Sequence, residues 1–557
     1  MISRNHASAA QRPLDSDLCI VGGGPAAISL ALALGESGRT VILIVGGGWA
    51  QTNANRDLNR GAHLTNGSHE PLEQNRRRQY GGASAVWGGR CVPFDPIDFE
   101  PRGWVPDSGW PIAFETLRPY YRRAAELCQV GIPEFDAHRA FPARRREIIS
   151  GLDSAQVVSY PLERWSPPIN FAAAYGPRLA RNPNVRVLLD AHALRMVPAP
   201  SGKSIASVSA VMGGKGLVIR AHRFVLAAGG IENPRLLLNS ASHLFPSGVG
   251  NRNDNVGRYY MSHLSGNYAQ ILPRFPRQLL ADFERDANGV YCRRRWWIAE
   301  EAQRAERLLN TVFFLTYSNG EAGQRDPGHA SRVAAKSLQA ILQPGAPRQI
   351  WKRAREFGPG LAKASYNLMR YGLPHVPALL DRGVRRLARR RLPVMLPMNG
   401  SSQWGLYFQA EHAPHRESRL TLSPTELDGL GVPRLDVQIG FDPLDVESVV
   451  RAHEIFVANY RRRNVGTVLY TESGLREYLA RQIESFNSAA HHIGTTRMSD
   501  DPRTGVVDRN AQVHGVDNLF VAGSSVFPTG GHANPTFTLL AQTLRLADHL
   551  IGAPAAV

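Results

Sequence analysis

The stretch DLCIVGGGPAAISLALALGESGRTVILIV, residues 17–45, limits the fold of this chain more than any other. Residues 17–24 run from apolar side chains into a glycine turn and predict a buried strand. Residues 25–38 predict a helix that stops at Gly38, and residues 40–45 predict a second buried strand. Two apolar strands joined through a helix form a β-α-β unit, which commits this end of the chain to a parallel sheet. The turn reads Gly22-x-Gly24-x-x-Ala27. Gly22 permits the tight turn, and Gly24 lets a pyrophosphate approach the backbone. Pro25 and Ala26 open the helix whose N-terminus faces the phosphates, and the small Ala27 lets helix and strand pack closely. One feature departs from this pattern: the second strand ends in Val45, where an acid would hold the ribose hydroxyls.

Three further small-residue clusters follow strand-like runs. They are RQYGGASAVWGG (78–89), FVLAAGGIENPRLLLNS (224–240) and NLFVAGSSVFPTGGHANPTFTLLAQTLRLADHLI (518–551). The second predicts a strand over Phe224–Ala227 entering a leucine-rich helix, and the third a strand, a loop and a long amphipathic helix. Backbone exposed at several distant turns suits an extended dinucleotide, which recruits contacts along its whole length. Alongside the first turn, the expected cofactor contacts are Gly81, Gly82, Ser84, Trp87, Gly88, Ala193, Ala228, Gly229, Gly523, Ser524, Asn534, Pro535 and Thr536.

The 557 residues, 43% hydrophobic, are enough for two or three domains with a large core. No run of 18 apolar residues predicts a spanning helix, and the polar N-terminus predicts no signal peptide. Cys19, Cys91, Cys128 and Cys292 lack metal-ligand spacing and read as reduced, buried thiols of a cytoplasmic protein, with no metal site. The net charge of +18 is unevenly placed. Between Arg332 and Arg391 there are 14 Lys+Arg and two acids, which supplies +12. That concentration argues against a distributed nucleic-acid surface. The stretch RGVRRLARRRLP (382–393) predicts a short cationic helix. The segment 332–391 is either a solvated face or a docking surface for anionic lipid or an acidic partner, which would make the protein peripheral to a membrane.

The motifs together resemble the glucose-methanol-choline (GMC) family of FAD-dependent oxidoreductases, nearly end to end. GGGPAA, GGASAVWGG, AAGGIENPRLLLNS, HHIGTTRM and the last cluster appear in family order, with lesser matches at SGWPIAFETLRPYYRRA (108–124), NVGRYYMSH (255–263) and EHAPHRESRLTL (411–422). The resemblance is nearest to the pyranose oxidase and sugar dehydrogenase branch. It implies an α/β fold with a Rossmann-like FAD domain (1–100, 180–264 and 485–557). It also implies a substrate domain of antiparallel sheet and helices (101–179 and 265–484). Some pyranose oxidases anchor FAD covalently through a histidine of the second motif. The matching position here is Val86, so FAD is expected to be noncovalent.

Oxidising an alcohol on a flavin needs a base near neutral pKa and a partner that fixes the alcohol oxygen. Histidine suits the first role and an amide or second histidine the second. The resemblance places the base three residues before Gly494, at His491, and its partner at Asn534. Pro535 biases Asn534 towards extended backbone. A strand over 486–493 would send adjacent side chains to opposite faces, so one of His491 and His492 would face the flavin. His492, His532 and His263 are the lesser candidates, for contact with substrate. His532 reads as a loop histidine near the entrance, and His263 as either close to the substrate or buried and structural. Glu411 and Arg419 read as structural ion-pairing or hydrogen-bonding groups. Trp296 and Trp297 either present an indole to a sugar or lie half-buried in a strand.

The expected activity is oxidation of a secondary CH–OH of a sugar, glycoside or polyol to a carbonyl, with oxygen, a quinone or a redox protein as acceptor. A flavin-containing lyase on the same scaffold, or an oxidase of a non-sugar alcohol, are the alternatives.

Overall fold

A computed structural model describes residues 2–3, 13–64, 69–143, 146–317, 330–331, 333–334, 337, 350–372, 376–388, 390, 392–393, 403–486 and 490–552. The first strand β1 (Leu14–Val21), helix α1 (Pro25–Glu36) and strand β2 (Val41–Val45) form the expected unit, with β1 and β2 parallel. Every residue of β2 is buried, as a strand covered on both faces must be. These strands sit inside an eight-stranded sheet that draws its other members from Ile2–Ser3, Val185–Leu189, Ala191–Pro198, Ile205–Met212, Lys215–Leu226 (β3) and Leu519–Val521.

β3 does two jobs along its length. Lys215–Ile219 closes an antiparallel hairpin with Val208–Met212, while Phe224–Leu226 lies parallel between β1 and Leu519–Val521. Chain from near both ends and from the middle therefore meets in one sheet, and the cofactor turns at their strand ends converge. Helix α2 (Gly229–Leu238) leaves the end of β3, and helix α3 (Thr536–Gly552) follows the GGHANP loop. Two helices, Phe114–Cys128 and Phe171–Arg181, the second running past the expected boundary at 179, pack into the same apolar cluster. Tyr121 stacks on Phe537 of α3 with ring centroids 5.3 Å apart.

A second, six-stranded sheet is antiparallel throughout, in the order Gly466–Leu469, His263–Pro273 (β4), Trp404–Glu411 (β5), Thr311–Tyr317, Trp296–Ile298, Val157–Val158. The apolar face of Pro443–Arg462 covers it through Phe456, which meets Trp296 and Phe313 at 5.2 Å. Trp296 and Trp297 are thus buried in a strand, more deeply than the half-burial expected, and the Trp297 indole donates to Asn310 Oδ1. The RLDVQIGF run forms strand Pro433–Gln438, but in a separate two-stranded sheet with Arg419–Leu427. All four cysteines are buried and free. Among the described residues no helix is long and apolar enough to cross a membrane.

A dry ion pair joins the sheets. Arg102, from the loop after the first 100 residues, donates two hydrogen bonds to Glu411 at the end of β5, at 2.8 and 2.5 Å, with both side chains fully buried. Asn310 N donates to the same carboxylate, and Asn310 Nδ2 donates to Asp95 and Asp98. Glu411 and Arg419 are not partners of each other: Arg419 lies 3.5 Å from Asp254. A buried charge left without its partner is far more costly than a missing neutral contact. Glu411→Gln is therefore expected to lower the unfolding free energy by about 3–5 kcal/mol, measured by urea denaturation, whereas Arg419→Gln should change it little.

Candidate active site

A long cleft runs across the strand ends of the eight-stranded sheet. Gly22, Gly24, Pro25, Ala26, Gly82, Ser84, Trp87, Ala193, Ala228, Gly229, Gly523, Ser524, Pro535 and Thr536 line it, as expected from the sequence. Gly22 has φ +139, and a Cβ there would run into the Ala227 carbonyl of β3. Gly24 has open space where a Cβ would be, and as N-cap of α1 it leaves the first amides without a side-chain cap. No acid sits in that first turn. An uncapped helix N-terminus facing an open cleft is a ready anion site, so the chain fits a dinucleotide pyrophosphate there.

Four expected contacts lie outside the lining. Ala27 is wholly buried and serves the close packing of α1 on the sheet. Gly81 faces Asn170 and Gly88 faces Trp165, so both shape the loop rather than the cleft. Asn534 reaches the end of the cleft only through His491.

At Val45 the missing acid is matched by polar groups from elsewhere. A Cβ on the next residue, Gly46, would stand 3.4 Å from both Arg78 Nη1 and His192 Nδ1. Arg78 Nε donates to Asn59 Oδ1, and Arg76 and Arg78 pair with Glu232 at 2.5 and 2.7 Å. Burial works to raise the Glu232 pKa, but Arg78, Arg76 and Arg235 overcome it and hold the carboxyl ionised, well below its usual range. His192 Nδ1 and Asn59 Nδ2 are buried without a hydrogen-bond partner among the described residues; Asn59 lines the cleft, and His192 stands between Ala191 and Ala193, which also line it. These groups are available to ribose hydroxyls where the strand end supplies none. Reading the sequence missed them; the run NRRRQY just before the second glycine cluster was the available signal.

At the other end the two catalytic candidates meet. Asn534 Nδ2 lies 3.0 Å from His491 Nε2, and His491 Nδ1 lies 2.9 Å from His263 Nδ1. The backbone explains the second contact. Residues 490–493 form no regular strand; a single antiparallel bridge joins Ile493 to Met261, with both amides bonded at 3.0–3.1 Å. Two residues away on each chain, His491 and His263 become same-face neighbours. Gly494, at φ +87, lies against the Tyr259 carbonyl, where a Cβ would clash, so the turn after the histidines admits only glycine. Beyond it, Thr496 N and Met498 N bond to Ser525 O and Val526 O, tying the histidine segment to the loop after Leu519–Val521.

Asn534 is oriented by β5. Gln409 Nε2 donates to His532 O at 2.5 Å and to Asn534 Oδ1 at 3.4 Å, while Arg90 Nη1 donates to Gln409 Oε1 at 2.9 Å. With its oxygen facing Gln409, the amide turns its N–H towards His491. That hydrogen bond assigns the lone pair to His491 Nε2 and the proton to Nδ1, which donates to His263. His263 then carries its proton on Nε2, which is buried without a partner among the described residues. Burial lowers the His491 pKa to about 4, with the Arg90 charge adding to it. Burial and then the neighbouring His491 push His263 down as well. Both rings are neutral near pH 7.

The rival histidines part company. His492 lines the cleft, but its ring stacks on Tyr260 with centroids 6.2 Å apart and its carbonyl accepts from Ser524 Oγ. His532 is not an entrance residue. It is fully buried, with Nε2 2.9 Å from Asp95 and Nδ1 3.3 Å from Arg295. Its place is fixed because the loop backbone on either side packs against Asp98 and Gln409.

With this geometry in view, the comparisons with known proteins are informative. Two family models described as GMC oxidoreductase match residues 171–265 and 414–543. The chain is 24% identical to 6'''-hydroxyparomomycin C oxidase of Streptomyces lividus, over 96% of this chain and 92% of that protein. It is 25% identical to the fructose dehydrogenase large subunit of Gluconobacter japonicus, over 59% of this chain and 47% of that one. The fold matches pyridoxine 4-oxidase from Mesorbium loti with a TM-score of 0.53 at 18% identity, covering 96% of this chain and 99% of that one. A dinucleotide cleft that ends at a neutral histidine, in a chain matched by both family models, has one reading: the protein belongs to the GMC oxidoreductase family and is an FAD-dependent oxidoreductase acting on CH–OH groups.

Proposed function

We propose that the protein oxidises a secondary alcohol of a sugar, glycoside or polyol to a carbonyl, with His491 as the base and Asn534 as the oxygen-fixing partner. The observation that carries this reading is the 3.0 Å contact between Asn534 Nδ2 and His491 Nε2 at the end of the cleft. The two groups offer one acceptor and one donor to a single hydroxyl oxygen, so an alcohol takes the place of their direct contact. Bound FAD supplies the acceptor for the two electrons that leave with the C–H hydrogen. His491 Nε2 accepts the hydroxyl proton. The positive charge that then forms on the ring is spread through Nδ1–H to His263. Asn534, held by Gln409, stays a donor throughout because its oxygen is already engaged. The likeness to a hydroxyparomomycin C oxidase and a fructose dehydrogenase supports a polyhydroxylated substrate.

His491→Ala should slow anaerobic flavin reduction by a factor of about a hundred or more. The same change with His492→Ala, and full turnover in His491→Ala, would reverse the assignment. The substrate class is tested by an anaerobic panel of sugars, glycosides and polyols beside simple alcohols, read as loss of the oxidised flavin band. Bleaching by the simple alcohols alone excludes a sugar substrate.

A base with its pKa near 4 remains unprotonated as pH falls through 6.5. The acid limb of kcat/KM is therefore expected close to pH 4, below the value of an ordinary histidine near about 6.5. We assign His263 as a positioning residue that locks the His491 tautomer. His263→Ala should lower kcat by about ten- to a hundredfold and move the acid limb downward, because the protonated ring loses its hydrogen-bond acceptor, and His263→Asn should restore part of both. A fall in kcat with the pH profile unmoved would leave His263 a packing residue.

FAD attachment is proposed to be noncovalent, because Val86 offers no nucleophile and its side chain is exposed. Acid precipitation should leave the yellow colour in the supernatant; colour retained in the washed pellet would contradict this.

A further inference from the structure

Helix Val376–Leu387 carries an apolar stripe that faces away from the protein. Val376, Leu380, Val384 and Leu387 recur at helical spacing and fall within an arc of about 80° at 3.6 residues per turn. All four are exposed, Leu380 by 65%, Val384 by 70% and Leu387 by 89%. The other side of the helix is tied down. Arg385 lies 3.8 Å from Asp282 and 2.9 Å from Asp381, and Leu392 N bonds to Arg385 O beside a buried Leu392 side chain. Arg390 Nη1 donates to Gln129 O. A surface helix of a soluble domain turns its apolar stripe to the core; this one turns it outward while anchored from behind. Phe357, Tyr366 and Met369 on the preceding helix Ile350–Gly372 are exposed too. Half of the 14 large apolar side chains exposed among the described residues therefore lie between 357 and 387.

The charge of the segment that carries the stripe selects what covers it. The segment 332–391 holds 14 Lys+Arg and two acids. Covering the stripe with a second copy of the chain would bring two such segments together, and like charge opposes that contact. An anionic surface neutralises it. A single exposed apolar ridge on a helix within a strongly cationic segment is the pattern of a helix lying in the plane of a bilayer interface, apolar side down and basic groups on the headgroups. We propose that the stripe Val376–Leu380–Val384–Leu387 docks the protein on a lipid bilayer bearing anionic headgroups, with the catalytic cleft in the attached body.

The test is co-sedimentation of the FAD-loaded full chain with phosphatidylcholine vesicles, with and without about one-third phosphatidylglycerol. The protein should pellet with the anionic vesicles, remain largely in solution with the neutral ones, and be released as salt rises past a few hundred millimolar. The triple variant Leu380→Ser, Val384→Ser, Leu387→Ser should partition at least about tenfold more weakly, with unchanged turnover of a soluble alcohol. Failure to bind anionic vesicles at low salt overturns the proposal, as does equal binding by the triple variant. A fall in oligomeric mass of the triple variant by light scattering also overturns it, by showing that the stripe is a contact between subunits.

Discussion

The state of His491 depends on a chain of hydrogen bonds that begins far from it, at an ion pair. Glu163 holds Arg90, Arg90 holds Gln409, Gln409 turns the Asn534 amide, and that amide leaves His491 Nε2 as an acceptor. Glu163 lies in strand Leu162–Trp165 of a four-stranded antiparallel sheet and Gln409 in β5 of the six-stranded one, while Asn534 and His491 belong to segments anchored on the eight-stranded sheet. His491 Nε2 is thus held as an acceptor only when the sheets are docked. The Arg102–Glu411 pair and the Asp95–His532 contact hold that docking in surroundings too dry to tolerate a lone charge. Burial and then Glu411 and Asp95 push the Asp98 carboxyl in the same cluster well above its ordinary pKa, while its two oxygens accept from Asn310 Nδ2 and Asp95 N.

The cofactor cleft shows the same division of labour at its other end. The helix N-terminus at Gly24 is a property of local backbone, legible as a spacing of glycines. The groups near Gly46 come from residues 59, 76–78, 192 and 232, which no local pattern associates. An acid at the end of a strand is readable because its position follows from the β-α-β unit. A substitute assembled from four segments is not, because each member is an ordinary polar residue until the chain brings it to the cleft.

Several side chains changed meaning in the fold for identifiable reasons. His532 stood out beside Asn534, yet it supports the loop from within the buried ion cluster. His263 carried no more signal than any buried histidine; the Met261–Ile493 bridge, two residues from each ring, makes it the neighbour of His491. Trp296 and Trp297 are core residues because their strand pairs on both edges, with Thr311–Tyr317 and with Val157–Val158.

The sequence by itself determined the parallel unit at residues 14–45 and the small-residue turns along the cleft, and its motifs carry the family resemblance that singles out His491 and Asn534. Each is encoded in short-range order: periodicity, small residues at turns, and motifs whose spacing is local. The tertiary structure alone decided which nitrogen of His491 accepts a hydrogen bond, which polar groups gather beside Val45, and that the apolar stripe of Val376–Leu387 faces outward. Those depend on hydrogen-bond partners and packing surfaces separated by up to several hundred residues, and only the folded chain brings them together.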